Sequence, residues 1–181
     1  TPTLRLGVDN AAAAMPALAD GLGNASLAAS TRAYNLVWII HIVGDLHQPL
    51  HGTSRSSHDH PEGDAGGNRV FVRLWPDRAD SANLHGVWDG WVGRAERETR
   101  IDDIARGLAA GLPVPAESPS GDLGIPNGAE LGRTVLAWAD ESATIARYMA
   151  YDLPARDAAG PPALSDAYRA QGERIARQRL A

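Results

Sequence analysis

The sequence predicts an all-α fold with one short strand or β-hairpin. Three long stretches, at 9–22, 27–47 and 128–151, carry helical apolar patterns bounded by stop signals. Only Arg69–Trp75 alternates in the manner of a strand. Gly, Pro and Ser gather between these stretches, as connectors should.

Asp9 to about Leu22 is Ala-rich and runs into Gly-Leu-Gly-Asn, a helix and its stop. The second helix runs from about Leu27 to His47. Its Leu36, Val37, Ile39, Ile40, Val43 and Leu46 make it apolar around most of its girth, which predicts a buried central helix. Pro49 pushes Gln48 out of helical geometry, so His51 falls on a turn just past the helix end. Residues 52–68 form a polar, Gly-rich loop, and Arg69–Trp75 is the strand, or one half of a short hairpin. Asn83 or Leu84 through about Glu98 reads as a helix, and Arg100–Ala110 as another that Gly111 stops. Pro113–Pro126 is a Pro/Gly/Ser connector. Gly128–Tyr151 is a long amphipathic helix carrying Leu131, Val135, Trp138, Ile145 and Met149, and Ala163–Leu180 is a last helix, polar on one side. No second domain is visible, so residues 1–181 are expected to form one domain.

Composition narrows the function classes. Apolar residues make up 44 % of the chain and charged ones 22 %, an ordinary globular balance that does not suit a disordered protein. The net charge of −5 does not favour a large basic nucleic-acid face. Phosphate binding stays open, because a bound metal ion would be the largest local charge. With no cysteine, disulfides and thiolate metal sites are excluded, and any zinc must be held by imidazole and carboxylate. No apolar run is long enough to span a bilayer. No basic start and apolar core follow Thr1, so a signal peptide is either unused or already removed. Asn24-Ala25-Ser26 matches a glycosylation sequon, a triplet common by chance.

The residues that carry chemistry are His41, Asp45, His51, His85 and Asp89. They lie in two segments, HIVGDLHQPLH (41–51) and LHGVWD (84–89), each with a His-x-x-x-Asp pair. Residues four apart share a helix face. Imidazole plus carboxylate suits a zinc site with an open catalytic position. His41 and Asp45 sit on the apolar helix and are expected to be partly buried, where a carboxylate must be paired or bind metal. A His–Asp hydrogen bond tying two helices together is the plain alternative for that pair, and a solvated surface pair is the alternative for His85 and Asp89. His51, His85 and Asp89 together would give zinc three ligands and one open position. His41 and Asp45 would supply part of an adjacent site, and two close metals can hold an attacking and a departing oxygen together. His47 faces another side of the helix and is expected to pack or cap.

Other clusters read more plainly. His58, Asp59 and His60 are expected to be solvated loop residues. Asp64-x-Gly66-Gly67-Asn68 lacks the lysine and helix of a P-loop and is expected to be a turn with glycines at positive φ. There is no Gly-x-Ser-x-Gly elbow. Asp102/Asp103 and Asp140/Glu141 are most simply solvated helix faces.

HIVGDLHQPLH, DAGGN and NLHGVWD, in that order, resemble the zinc-dependent single-strand-specific nucleases, also called 3′-nucleotidases, typified by fungal nucleases S-one and P-one. Trp138-Ala-Asp-Glu-Ser142 and Arg179-Leu-Ala181 resemble the family's late and closing helices. The likeness covers roughly residues 30–181. It implies an all-α fold shared with zinc phospholipase C and a cluster of three zinc ions. By motif, His51, His85 and Asp89 would hold one zinc. His41 and Asp45 would contribute to a second, and Asp45, the candidate catalytic residue, would also reach a third. The resemblance implies export, to a secreted or periplasmic location; the oligomeric state is not legible, and a monomer is the expectation. It also implies hydrolysis of single-stranded DNA and RNA to 5′-phosphates, and of 3′-nucleotides, with a zinc-activated water as nucleophile and a zinc on the leaving 3′-oxygen. Stacking of an unpaired base would give the single-strand preference; no residue here is assigned to that pocket.

The chain also departs from the family. Members begin with a Trp whose amine and carbonyl bind zinc, followed by a His, and further Asp and His ligands precede the Gly-Asp-x-His motif. Here residue 1 is Thr, no His precedes His41, and Gly90 stands where many members place an Asn. The expectation is an N-terminally incomplete domain with one full zinc site, two depleted ones and impaired activity. A zinc phospholipase C-like phosphodiesterase and a non-catalytic, zinc-stabilised helical remnant are the alternatives.

Overall fold

A computed structural model describes residues 10–91, 128–155 and 160–180. It is mostly helical, with a single small sheet among the described residues, as the sequence predicts. The elements are α1 (Ala11–Gly23), α2 (Ala29–His47), β1 (Phe71–Val72), β2 (Ala82–Asn83), α3 (Leu84–Asp89), α4 (Gly128–Ile145) with a π-helical turn after it (Ala146–Ala150), and α5 (Asp166–Leu180). The expected helix at 100–110 and the connector at 113–126 lie outside the described residues. No described helix is long and apolar enough to cross a membrane.

The described elements fall into two compact units. The first holds α1, α2 and α4 up to Glu141. Asn10 caps α1, its side chain accepting from Ala13 N at 3.1 Å. Met15 and Ala19 of α1 and Leu131 and Val135 of α4 form the buried core. Pro16 lacks an N–H, so Ala12 gains no helical hydrogen bond from it. Gly132 packs there, where a side chain would lie 4.0 Å from both Ala12 O and Pro16 Cγ.

The central, buried helix expected at 27–47 is not what forms. Ile39, Ile42, Val43 and Leu46 of α2 pack against that core as one stripe with i, i+3, i+4, i+7 spacing. Tyr34, Leu36, Val37, Trp38 and Ile40 are exposed, and Asn35 is the buried residue of the helix. A helix apolar all round needs neighbours all round, and α1 and α4 cover one side of it.

The second unit begins at Gln48 and takes up the chain again from Ser142. β1 and β2 form an antiparallel pair, with Phe71 opposite Asn83 and Val72 opposite Ala82. Arg73 continues the edge by a parallel bridge to Ala163. Ala163 and Leu164, expected to open the last helix, are therefore extended, and α5 starts at Asp166. Buried Arg73 and Arg169 tie this corner together. The Arg73 guanidinium donates to Pro161 O (2.9 Å) and Pro76 O (3.2 Å). That of Arg169 donates to Leu74 O (2.7 Å) and Leu164 O (2.6 Å) and lies 4.0 Å over the Trp75 ring. The helix expected to run to Glu98 ends at Asp89, where Gly90 caps it; residues 92–98 are outside the described set. Leu50, Val72, Leu84, Val87, Trp88 and Leu164 are the heart of this unit's core.

The long helix α4 gives way to a π turn that periodicity did not reveal. Tyr151 N donates to Ala146 O at 2.9 Å, an i to i−5 bond. A π turn carries one residue more than the α-helical turn it replaces.

Candidate metal centre

Two chain segments of the second unit bring His51, His85 and Asp89 together. The first is the turn after α2. His51 N donates to Gln48 O at 3.1 Å, and the Gln48 side chain accepts from Leu50 N, closing the turn that Pro49 begins. Leu50 is buried, which pins His51 beside the core while its ring stays near solvent.

The second segment is α3. Asn83 caps it, accepting from Gly86 N at 2.7 Å. Leu84, Val87 and Trp88 are buried, so the helix presents His85 and Asp89 away from the core. Trp88 Nε1 donates to the Tyr168 hydroxyl at 3.0 Å, and that hydroxyl donates to Ala150 O at 2.7 Å. Burial pushes the Tyr168 phenol up to about 12, although the bond from Trp88 pulls the other way. The phenol stays protonated and can serve both partners.

Asp89 is the hub of the group. Its Oδ1 lies 3.2 Å from His51 Nε2 and its Oδ2 3.7 Å from His85 Nε2. Gln48 Nε2 donates to the same Oδ1 at 2.7 Å. The two imidazoles stack with centroids 4.9 Å apart and planes 15° from parallel. One ligand atom from each of the three residues lies within 4.8 Å of the others, the one such group found among the described residues. His85 Nδ1 lies 2.8 Å from Gly66 O. A carbonyl can only accept, so Nδ1 carries a proton, and Nε2 is the nitrogen turned toward the group. Two imidazole nitrogens and a carboxylate oxygen, partly exposed, fit a zinc ion that keeps a position for water or substrate.

His41 and Asp45 form a pair of their own in the first unit, with Nε2 3.3 Å from Oδ2. Both were expected to be partly buried: Asp45 is, with its side chain 45 % exposed, whereas His41 is exposed, its side chain at 60 %. They share the uncovered side of α2 with Val37 and Ile40, so no desolvation cost forces them to pair. His47 packs, as expected: its ring lies 4.9 Å from that of Trp138 and its Nδ1 2.7 Å from Val43 O. His58 and Asp59 are solvated on their loop, 3.4 Å apart.

Two contributors were not anticipated. Gln48 orients Asp89, and Gly66 orients His85 through its carbonyl. For Gly66 the sign is the Gly-Gly pair itself, since φ is +64° at Gly66 and +81° at Gly67. A Cβ on Gly66 would lie 2.5 Å from Leu50 O. The glycine lets the turn slip between the His51 segment and His85.

The comparisons with known proteins agree with this motif set. Over 57 residues the chain is 42 % identical to Endonuclease 4 of Arabidopsis thaliana, and over 66 residues 41 % identical to Endonuclease 2 of the same plant. Endonuclease 5 is 36 % identical over 64 residues. Each match spans about a third of this chain and less than a fifth of the relative's length, 16 %, 19 % and 18 % respectively. The sequence model of the S1/P1 Nuclease family matches far more, residues 8–181. With nearly the whole length matched, the chain belongs to the S1/P1 nuclease family.

Proposed function

We propose that this chain is the catalytic part of a zinc-dependent nuclease. It hydrolyses phosphodiesters of single-stranded DNA and RNA to 5′-phosphates, and also 3′-nucleotides. The observation that carries the reading is the convergence of His51, His85 and Asp89 with ligand atoms within 4.8 Å. His51 and His85 would contribute Nε2 and Asp89 a carboxylate oxygen to one zinc. His41 and Asp45 would contribute to a second, and Asp45, as the catalytic candidate, to a third as well. Bound zinc supplies a Lewis acid for a phosphoryl oxygen and lowers the pKa of a bound water.

The chain's own groups prepare that chemistry. Gly66 O holds a proton on His85 Nδ1, which leaves Nε2 as the nitrogen that can take the metal. Gln48 holds Asp89 Oδ1 in place by a hydrogen bond that leaves Oδ2 available. With a net charge of −5, attraction for a polyanion must come locally, at the metal centre. Residues 1–181 are read as one domain of a monomer that works in an exported, secreted or periplasmic setting.

The test is metal analysis joined to cleavage of denatured DNA. Purified protein is expected to hold zinc, to cut denatured DNA in preference to duplex, to stop on chelation and to recover on adding zinc. His85→Ala should lose both zinc and cutting. A zinc-free protein unaffected by His85→Ala would sink the reading. Release of phosphocholine from lipid without release of nucleotides would move it to the phospholipase C side. Chelation that lowers the melting temperature of a protein that cuts nothing would leave a structural zinc site.

A further inference from the structure

We propose that Asp64 and Tyr151 are positioning residues for His85, acting through the backbone of the turn at 64–68. The inference rests on the metal-site reading above and extends it beyond the ligands.

Asp64 is fully buried, yet it is an acid in a turn that a neutral residue could make. A buried carboxylate is costly unless donors surround it. One oxygen gathers them. Asp64 Oδ1 accepts from Arg55 N at 3.0 Å, Gly67 N at 3.2 Å and the Tyr151 hydroxyl at 2.9 Å. The Asp64 backbone N donates to Arg55 O at 3.1 Å, and Arg69 N donates to Asp64 O at 3.1 Å. The Arg55 guanidinium lies 4.3 Å over the ring of Tyr151, which is itself buried. The turn is thus clamped at Gly67, the residue next to Gly66, and Gly66 O accepts the His85 Nδ1 proton. His85 N in turn donates to Gly67 O at 3.4 Å. Tyr151 holds Asp64, Asp64 holds the Gly66–Gly67 peptides, and those peptides decide which nitrogen of His85 is bare.

Asp64 Oδ2 has no hydrogen-bond partner among the described residues. All the clamping passes through Oδ1, so an asparagine can offer the same carbonyl oxygen and forfeit no bond at the other atom. Conservative and non-conservative replacements should therefore part company.

The experiment reads the His85 tautomer by two-dimensional ¹H–¹⁵N NMR of imidazole side chains in the metal-free protein, at a pH where histidines are neutral. Zinc affinity is measured beside it by competition with a chromophoric chelator. Wild type and Asp64→Asn should show His85 protonated on Nδ1. Asp64→Ala should lose that preference and bind zinc about 10- to 100-fold more weakly, the range known for groups that support a metal ligand. Tyr151→Phe, which removes one of three donors, should shift both readouts the same way by a smaller amount. If Asp64→Ala does not fold, by circular dichroism, then Tyr151→Phe against Asp64→Asn decides. The proposal is overturned if wild-type His85 is protonated on Nε2, or if folded Asp64→Ala and Tyr151→Phe keep the wild-type tautomer. Zinc binding that needs His51, His85 and Asp89 but ignores both variants would sink this inference alone. A wild type that binds no zinc, with the tautomer still following Asp64, would sink the metal reading and leave the positioning intact.

Discussion

Gln48 shows how a residue without chemistry of its own can set the geometry of a site. Its amide oxygen closes the turn that carries His51, and its amide nitrogen reaches Asp89. Gln48→Ala is expected to weaken zinc binding by about tenfold, the lower end for a group that orients a ligand. Chelator competition would show it, with His85→Ala as the reference for full loss. Gly66→Ala should be harsher than its size suggests, because φ is +64° and the new methyl meets a backbone carbonyl. A loss above about 1 kcal/mol is expected in urea unfolding, together with weaker zinc binding. His51, His85 and Asp89 could be picked from the sequence because their side chains announce ligand chemistry. Asp64 reads in the sequence only as part of a Gly-rich turn, because its burial and its bond to Tyr151, a partner far along the chain, belong to the fold.

At the scale of elements, α2 marks the limit of pattern reading. Its apolar residues correctly announced a helix, but composition cannot say how many neighbours that helix has. The packed stripe and the bare stripe contain the same residue types, so only the placement of α1 and α4 tells them apart. Stability should follow placement. Ile40→Glu, at a position 63 % exposed, is expected to change unfolding free energy by no more than about 0.5 kcal/mol. Met15→Ala, in the core of the same unit, should cost about 2–5 kcal/mol. Equal losses in urea denaturation would contradict the burial described. The helix expected to begin at 83 or 84 ends at Asp89 for a related reason. Gly90 is a C-cap here, and a lone glycine in a helical pattern does not say whether it ends the helix.

For the whole molecule, ligation and folding are linked, since an ion that binds only the folded chain stabilises it. Chelation should lower the melting temperature and zinc should restore it, in wild type but not in His85→Ala. A second dependence is on alkaline pH. Burial raises the Tyr168 phenol from 10.0 to about 12. Between those values the unfolded chain has given up a proton that the folded one keeps, so stability falls as pH rises through that window and is intact below it. Burial and the Asp64 hydrogen bond raise Tyr151 as well, which adds to the same slope. Tyr168→Phe should flatten part of the decline while costing Trp88 Nε1 and Ala150 O a partner. Thermal melts across pH 9–12 would reveal both, within the roughly 1–3 kcal/mol that a stranded buried polar group loses. The π turn at Ala146–Ala150 has a further consequence. The turn closes over one extra residue, between Ala146 O and Tyr151 N. Deleting one residue there, such as solvent-facing Tyr148, would let the same two groups meet across an ordinary α-helical turn and leave the phenol of Tyr151 on its carboxylate. The same deletion earlier in α4 would turn everything after it by ~100°, so a loss of one residue should be tolerated better in that short stretch than in the regular helix before it.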